Sequence, residues 1–432
     1  MPVNCCGMTE TRLTRNQVRG FWAAWAGWTL DGMDSFIYAL VLVPAMRDLL
    51  PASGIAASAA NTGYYGGILF ALFLIGWGFA FLWGPIADRF GRVRTLMITI
   101  LVYSLFTFLG CIAASIWQLA LFRFLAGMGI GGEWTLGGVL VAEEWPEHRR
   151  KTGAAYMHTG YYFGTFLAAL LNYAVGSRYG WRAMFAVGGA PALLVAFIRY
   201  GVAEPGRWKN RAARTTEKHS ARLAFMTLFS PEYRRRTLMN SVFLLISMIG
   251  LWAGSVYVPG AVTAVATRQG YSARDAARIA SYATMLLSAG TIIGCLFVPA
   301  LANRYGRRGA LAFYYGLMAI FIATGFGYVY YLPAALIPFI ACLFFLGIGG
   351  ASFCVFTLWL PEQYRTECRA SAFAFATSAG RFVAAGVTFI VGAGVAAYGS
   401  IGIPVACTAL AFVAGLLLLP FGEETKDKPL PV

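Results

Sequence analysis

The sequence has little charge and very little histidine. Only 12% of its 432 residues are charged, against 59% that are hydrophobic, and it contains three histidines. A soluble domain usually carries about 25% charged residues, so this composition argues against a soluble enzyme. The sequence also lacks a cluster with metal-ligand spacing, a phosphate-binding loop, a nucleophile constellation and a cofactor motif. We therefore expect no enzymatic activity, no metal and no cofactor.

What the sequence has instead is a series of long apolar runs. Each is about 20 residues or longer, and as a helix it would cross a ~30 Å hydrocarbon core. Twelve such spans are predicted, at 20–45, 63–87, 95–114, 117–142, 152–175, 183–201, 237–262, 280–302, 309–331, 333–358, 370–398 and 401–420. The predicted fold class is an all-α integral membrane protein with twelve transmembrane helices.

A polar segment rich in Arg and Lys separates the first six spans from the last six. The predicted division is an N-terminal segment 1–19, a six-helix bundle 20–201, a linker 202–236, a second bundle 237–420 and a tail 421–432. The two bundles are expected to be pseudo-symmetric, because their loops repeat. Segments 84–94 and 299–308 share the pattern D/N-R-x-G-R, and segments 146–150 and 361–365 both begin with Pro-Glu. Repeated halves are typical of secondary transporters, whose substrate site lies between them near the membrane midplane.

The basic residues predict the orientation. With the N-terminus inside, 25 of the 34 Lys and Arg residues fall in cytoplasmic segments. Six fall outside, and these are Arg47, Arg178, Arg182, Arg268, Arg274 and Arg278. The bias predicts a multi-pass protein of the cell membrane with both termini cytoplasmic. It also accounts for the net charge of +16 without a nucleic-acid partner.

Several motifs resemble those of the major facilitator superfamily. Segment 84–94, G-P-I-A-D-R-F-G-R-V-R, resembles that superfamily's G-x-x-x-D-R-x-G-R-[RK] signature, which also follows the second span. Segment 123–129, R-F-L-A-G-M-G, is similar to the R-x-x-x-G-x-G pattern of the fourth span. The tail segment 422–426, G-E-E-T-K, resembles the P-E-T-K-G piece of the sugar-porter-like branch. The resemblance covers essentially the whole chain and implies the twelve-helix fold.

Two further segments narrow the resemblance. Segment 31–34, D-G-M-D, is similar to the first span of aromatic-acid and sialic-acid proton symporters. Segment 129–134, G-I-G-G-E-W, resembles the fourth span of sialic-acid permeases and related carboxylate transporters. The efflux motif G-x-x-x-G-P is incomplete, because Gly164 is followed by Thr165. The resemblance implies uptake of an organic acid together with a proton.

Charged residues inside the spans are the candidates for proton coupling. Each costs about 2.5–3.5 kcal/mol at the bilayer centre, so such residues usually have a function. Asp31 and Asp34 lie three residues apart on one helix face, and Arg123 enters from the opposite end to a similar depth. We expect Asp34 and Arg123 to pair, either as a structural lock or as a proton-coupling unit. Glu133 is expected to be a second proton site or a group that bonds a neighbouring helix. Protons are the expected coupling ion.

Arg381 is the clear mid-span charge of the second half, about 16 Å deep in its span. The spans of that half contain no acid that could neutralise it, and its planar fork suits a carboxylate. Arg381 is therefore the predicted substrate anchor, with an ion pair between the halves as the alternative. Thr377 and Ser378 give it a polar face.

Four further side chains are predicted to bind substrate. Tyr38 continues the stripe of Asp31 and Asp34, and His158 shares a helix face with Tyr162 in the fifth span. Asn240 lies in the seventh span. Each has a structural alternative, because polar and aromatic groups in spans often serve packing.

Three residues of the loop after the second span are predicted to form a gate latch, namely Asp88, Arg89 and Arg92. The equivalent of Asp88 in the second half is Asn303, which carries no charge. The two gates are therefore expected to differ in strength.

The predicted function is proton-coupled uptake of a small organic acid by alternating access, carried out by a monomer in the lipid bilayer. The alternatives are a proton-independent facilitator of a sugar-like or neutral solute, and a transporter-like membrane sensor.

Overall fold

The computed structural model describes residues 14–83, 86, 92–144, 147–193, 226–254, 256–426, 428 and 431. Of residues 16, 92, 132–144, 147–151, 154, 252–254, 361, 366–367 and 369–370 it describes only the backbone. Within this described part the chain is helical and contains no β-strand. The predicted linker 202–236 is described only from residue 226.

The helices of the first half alternate with short connections. They are Arg15–Ala52 (span 1), Ala59–Gly78 (span 2), Arg92–Leu109 (span 3), Ile116–Glu144 (span 4), Glu147–Leu171 (span 5) and Trp181–Val187 (in span 6). Span 5 continues through a π-helical turn, Asn172–Gly176, to Tyr179. Span 1 is longer than the predicted 20–45, because Thr14 and Gln17 form a capping box that starts the helix early.

The second half repeats this order. Its helices are Arg234–Met248 and Val258–Arg268 (span 7, joined by the π-helix Ile249–Gly254), Ala273–Gly327 (spans 8 and 9), Leu336–Gly350 and Ser352–Trp359 (span 10), Thr366–Tyr398 (span 11), and Gly402–Ala406 and Ala409–Leu418 (span 12). Span 7 begins at Arg234, so Arg234, Arg235 and Arg236 belong to the helix and not to the predicted linker.

Length and apolar composition confirm a multi-pass membrane protein. Seven of the described helices are long and apolar enough to cross a membrane. One of them, Ala273–Tyr331, carries two predicted spans, because Gly306 adopts φ +80° and turns the chain between spans 8 and 9. The helix order agrees with the twelve predicted spans, and a helix satisfies its backbone polar groups internally, as hydrocarbon demands.

Connections after odd-numbered spans lie together at one face, which we call the odd face, and the others lie at the even face. At the odd face the backbone N–H of Ile116 donates to the Ser53 hydroxyl at 2.9 Å. Arg182 pairs there with Asp48 at 3.3 Å. These contacts join three connections of the first half.

Glycine sets the spacing of the helices that surround the centre. A Cβ on Gly76 or Gly127 would overlap a backbone carbonyl of the partner helix, so spans 2 and 4 touch backbone to backbone. Gly290 and Gly347 make the equivalent reciprocal contact between spans 8 and 10. Small residues permit this close approach between helices in membranes.

The two halves meet along two seams of different chemistry. Between spans 2 and 11, a Cβ on Gly67 would lie 3.1 Å from the Cα of Gly392, so this seam is tight and apolar. Between spans 5 and 8 the seam is polar. There the hydroxyls of Thr165 and Ser288 lie 2.7 Å apart, and Asn172 donates to the Ser281 hydroxyl at 3.0 Å.

An ionic network braces the even face of the second half. Arg307 donates twice to Glu362, at 3.0 and 2.7 Å, and both side chains are buried. Thr425 of the tail donates to the same carboxylate at 2.6 Å. The absence of charge at Asn303 therefore does not leave this half without an ionic contact, since Glu362 supplies the acid. The predicted latch residues Asp88 and Arg89 lie outside the described residues, as does the side chain of Arg92.

Glu424 caps the start of span 9. Its carboxylate accepts from the backbone N–H groups of Arg307 at 2.9 Å and Arg308 at 3.1 Å. Burial raises the pKa of the Glu424 carboxyl, but these two donors and the N–H groups of Lys426 and Thr425 outweigh it. The pKa of Glu424 therefore lies below its ordinary value, and the ionised form holds the tail in place.

Replacing Gly127 by alanine should destabilise the protein, because the new methyl group would meet the carbonyl of Phe73. The expected cost is about 1–3 kcal/mol, typical of an overpacked core. The midpoint of thermal unfolding in detergent would measure it. The matched control is Gly386→Ala, where nothing lies within 4 Å of the added atom. Equal midpoints for the two variants would contradict the close contact.

The tail should detach in acid. A carboxylate with a depressed pKa stabilises the folded contact above its ordinary pKa of about 4.3, and this contribution is lost as pH falls through the lower folded value. The protection of residues 422–426 from hydrogen exchange should therefore fall as the pH is lowered from about 5 to about 3. In Glu424→Gln the tail should be loose already at neutral pH. Glu232→Gln, which alters an exposed ion pair, serves as control.

Candidate functional site

Two acids of span 1 lie at the centre of the described helix bundle. Asp31 and Asp34 are both fully buried and share one helix face. The Ser35 hydroxyl donates to the Asp31 carbonyl at 2.8 Å, so it is committed to the helix backbone. A Cβ on Gly32 would overlap the carbonyl of Tyr161, which shows that span 5 presses directly on this part of span 1.

Arg123 of span 4 faces Asp34. One guanidinium nitrogen lies 3.6 Å from the Asp34 carboxylate, and both side chains are at most 1% exposed. The guanidinium also lies over the Phe73 ring at 4.4 Å and the Tyr38 ring at 5.5 Å. The predicted pairing of Asp34 with Arg123 is thus confirmed, and their role in proton coupling stays a prediction.

The Asp34–Arg123 pair is a loose one. A separation of 3.6 Å exceeds a hydrogen bond, and none of the charged atoms of the pair is hydrogen-bonded within the described residues. Thr107 is a further polar neighbour of the carboxylate. A buried pair that lacks such bonds recovers little of its desolvation cost.

Arg381 of span 11 reaches the same site from the second half. It is 3% exposed, and its guanidinium lies over the Trp77 ring at 4.4 Å. It interacts electrostatically with Tyr161 and Asp31 of the first half. The sequence predicts a substrate anchor here, with an ion pair between the halves as the alternative. Asp31 lies near enough to interact electrostatically with Arg381, so both alternatives stay predictions.

Aromatic side chains surround the Asp31 and Arg381 groups. The Tyr161 ring lies 5.0 Å from Trp28 and 6.5 Å from Trp77. His158 lies 6.2 Å from Trp28 and stacks on Phe353 of the second half at 6.4 Å. The predicted substrate residue His158 is therefore at the site. Trp77 was missed, because an aromatic residue within an apolar span gives no sign in the sequence of which way it faces.

Three further predicted residues differ in the hydrogen bonds that their hydroxyls make: Tyr162, Thr377 and Ser378. The Tyr162 hydroxyl donates to the Gly350 carbonyl at 3.2 Å and so joins the halves. Thr377 donates to the Phe373 carbonyl at 2.9 Å, within its own helix. The Ser378 hydroxyl is buried and has no hydrogen-bond partner in the described part of the chain. The predicted contact of these three residues with substrate stays a prediction.

Two other predicted substrate residues have their polar groups hydrogen-bonded elsewhere in the chain, namely Asn240 and Tyr38. Asn240 exchanges hydrogen bonds with Gln363, at 3.0 and 3.2 Å, and donates to Tyr364 at 3.2 Å. These contacts lie within the second half at the loop after span 10, so the structure does not bring Asn240 to the site. The Tyr38 hydroxyl donates to the Gly66 carbonyl at 3.0 Å, and its ring is the part that faces Arg123.

Glu133 lies in span 4, but its side chain is outside the described residues, so its predicted role as a proton site stays a prediction. In the described part of the chain no group of three or more His, Cys, Asp or Glu side chains could hold a metal ion.

This architecture is similar to that of a known protein family. A family model described as Major Facilitator Superfamily matches residues 24–388. A protein of Haemophilus influenzae with a general metabolite-transport name is 30% identical over 414 residues, covering 94% of this chain and 95% of that protein.

Several relatives have names that specify a substrate, among them a niacin transporter and a sialic acid transporter. The niacin transporter NiaP of Acinetobacter baylyi is 26% identical, covering 95% of this chain and 94% of its own. The sialic acid transporter NanX of Escherichia coli is also 26% identical, over 79% of this chain and 75% of its own.

Among solved structures, the partially occluded inward-open xylose transporter XylE of E. coli has the same fold. It aligns with a TM-score of 0.74 at 19% identity, over 96% of this chain and 100% of that one. The family match, the relatives and the helix order agree. The chain belongs to the Major Facilitator Superfamily and is a membrane transporter, not an enzyme.

Proposed function

We propose that this protein takes up a small organic acid together with a proton, by alternating access. The observation that carries the proposal is the arrangement of four buried charges at mid-span. Asp31 and Asp34 oppose Arg123 and Arg381, so the described site is neutral when all four are ionised. A carboxylate that enters such a site adds a negative charge in a low dielectric, and a proton that enters with it restores neutrality.

The carboxylate of Asp31 and the carboxylate of the substrate compete for Arg381. When Asp31 is ionised it balances Arg381; when Asp31 is protonated it no longer competes, and the guanidinium can bind the substrate carboxylate. An arginine binds a carboxylate through two parallel hydrogen bonds. An ionised acid beside the arginine would hinder this binding. Loading therefore requires the proton, and one proton per monoanion moves no net charge across the membrane.

The Asp34–Arg123 pair lies one helical turn from Asp31, and Asp34 is the second protonation site in this proposal. Two acids three residues apart titrate as a coupled pair, so the proton belongs to the pair and not to one residue. The loose geometry of Asp34 and Arg123 supports this role, since opening the pair breaks no hydrogen bond among the described residues.

The names of the relatives support an organic acid. Niacin and sialic acid are both carboxylic acids, and NiaP and NanX are named as their transporters. The aromatic residues around Arg381 supply an apolar surface on which the remainder of such a molecule can rest. The proposed location is the cell membrane with both termini cytoplasmic, because the excess of basic residues lies on the even face.

The second candidate is a proton-independent facilitator of a sugar-like solute. It is favoured by the tail segment 422–426, which resembles a sugar-porter motif and is bound through Glu424 and Thr425. A facilitator would equilibrate its solute without responding to a pH gradient, so one transport experiment separates the two.

In proteoliposomes, an inward proton gradient should drive accumulation of a radiolabelled carboxylate such as nicotinate or N-acetylneuraminate. Asp31→Asn removes the titratable acid that competes for Arg381 and keeps the arginine itself, so exchange of substrate should persist while accumulation is lost. The KM of the wild type should rise as external pH rises, because the protonated form becomes scarce, and that of Asp31→Asn should not. Asp48→Asn, at an exposed acid, is the control. If the gradient leaves wild-type accumulation unchanged, symport is wrong.

Arg381→Lys keeps the charge but loses the planar fork, so we expect the affinity for the carboxylate to fall about ten-fold or more. Arg381→Ala should abolish binding, measured as loss of the ligand-induced rise in the thermal unfolding midpoint. Size-exclusion profiles establish that both variants are folded. Arg365→Ala, at an exposed arginine, should bind as the wild type does. Unchanged binding by Arg381→Ala would exclude this residue as the anchor.

A further inference from the structure

The odd face carries an unusual excess of positive charge for a face predicted to lie outside the cell. Its connections hold six arginines and two aspartates, which leaves a net charge of +4, and they contain neither lysine nor glutamate. All eight side chains are among the described residues; they are Arg47, Arg178, Arg182, Arg268, Arg274, Arg278, Asp48 and Asp275.

Two of these arginines are already engaged. Arg182 pairs with Asp48 at 3.3 Å and lies over the Trp181 ring at 4.1 Å. Arg268 donates to the Tyr330 carbonyl and lies over that ring at 4.7 Å. Both contacts fix a connection within one half. Asp48 balances the charge of Arg182, whereas Arg268 keeps its charge but has its guanidinium engaged by a carbonyl and a ring.

The polar seam between spans 5 and 8 ends at the odd face, where three of the remaining arginines lie on the two helices that form it. Thr165 contacts Ser288 and Asn172 contacts Ser281, so the two helices run antiparallel in a constant register. Continuing that register to the odd face sets Arg178 of span 5 level with the first turns of span 8. Those turns carry Arg274, Asp275 and Arg278. We call Arg178, Arg274 and Arg278 the seam arginines.

The seam arginines are available to an anion. Arg178 and Arg274 are exposed and have no ion-pair partner in the part of the chain that the structure describes. Asp275, the nearest acid, caps the start of span 8 together with Ser272, whose hydroxyl donates to it at 2.7 Å. Arg278 lies over the Tyr173 ring at 5.4 Å, and its Nε is buried without a hydrogen-bond partner in that part.

Two tyrosines complete the surface. The rings of Tyr173 and Tyr282 lie 5.2 Å apart across the seam, and Tyr282 is half exposed. Guanidinium groups beside aromatic faces suit a small organic anion, since the carboxylate meets the charge and the carbon skeleton meets the rings.

We propose that the seam arginines form a docking site for the transported organic anion at the odd face, ahead of the central site at Arg381. A surface of one sign raises the local concentration of the opposite ion and its rate of capture, and salt screens the effect. This inference rests on the proposed function, because it requires that the substrate is an anion. It assigns capture to the seam arginines and leaves coupling to the buried charges.

The test is uptake of radiolabelled nicotinate, or of N-acetylneuraminate if nicotinate is not carried, into vesicles sorted for one orientation, with substrate at the odd face. In Arg178→Gln/Arg274→Gln the KM at low ionic strength should rise roughly three- to ten-fold, while the maximal rate stays unchanged. At high salt the double variant and the wild type should have the same KM. Arg47→Gln removes one charge from an exposed position on the same face and should change the KM little.

Three results would overturn the proposal. The first is a KM of the double variant equal to that of the wild type at low salt. The second is an equal rise in Arg47→Gln and in Arg274→Gln, which would show a diffuse field and no local site. The third is an effect that disappears in vesicles of phosphatidylcholine alone, which would identify an anionic lipid headgroup as the ligand. If the wild type carries no carboxylate at all, the proposed function fails first, and that outcome is visible without any variant.

Discussion

The balance of four buried charges is the constraint on which this molecule depends. Asp31, Asp34, Arg123 and Arg381 lie where an uncompensated charge is most costly. Three of them belong to the first half, and Arg381 alone belongs to the second. The balance is therefore shared across the interface that must open and close. In the function we propose, this sharing links protonation in one half to substrate binding by the other.

The helices around these four charges pack closely against one another. Glycine contacts bring spans 2 and 4 together backbone to backbone, and equivalent contacts join spans 8 and 10. The two seams between the halves differ in their contacts: backbones approach closely between spans 2 and 11, and side chains are hydrogen-bonded between spans 5 and 8.

The even face of the second half is braced differently. There the tail, the start of span 9 and the loop after span 10 meet through Arg307, Glu362 and Glu424. These contacts remain within one half, so they stiffen it and do not hold the halves together. The motif that resembles a sugar-porter tail thus has a structural role in this chain, since it braces the start of span 9.

The sequence by itself determined the helical class, the two halves and the buried charges, because an apolar run and a charge inside it are visible along the chain. It also predicted the pairing of Asp34 with Arg123, whose depths could be traced from the ends of their spans. Only the tertiary structure decided which groups face one another. It set Asp31 against Arg381, Glu362 against Arg307, and Asn240 against Gln363 and away from the site. The reason is physical: the rotation of a membrane helix about its axis is set by contacts with its neighbours, and its own sequence does not specify that angle.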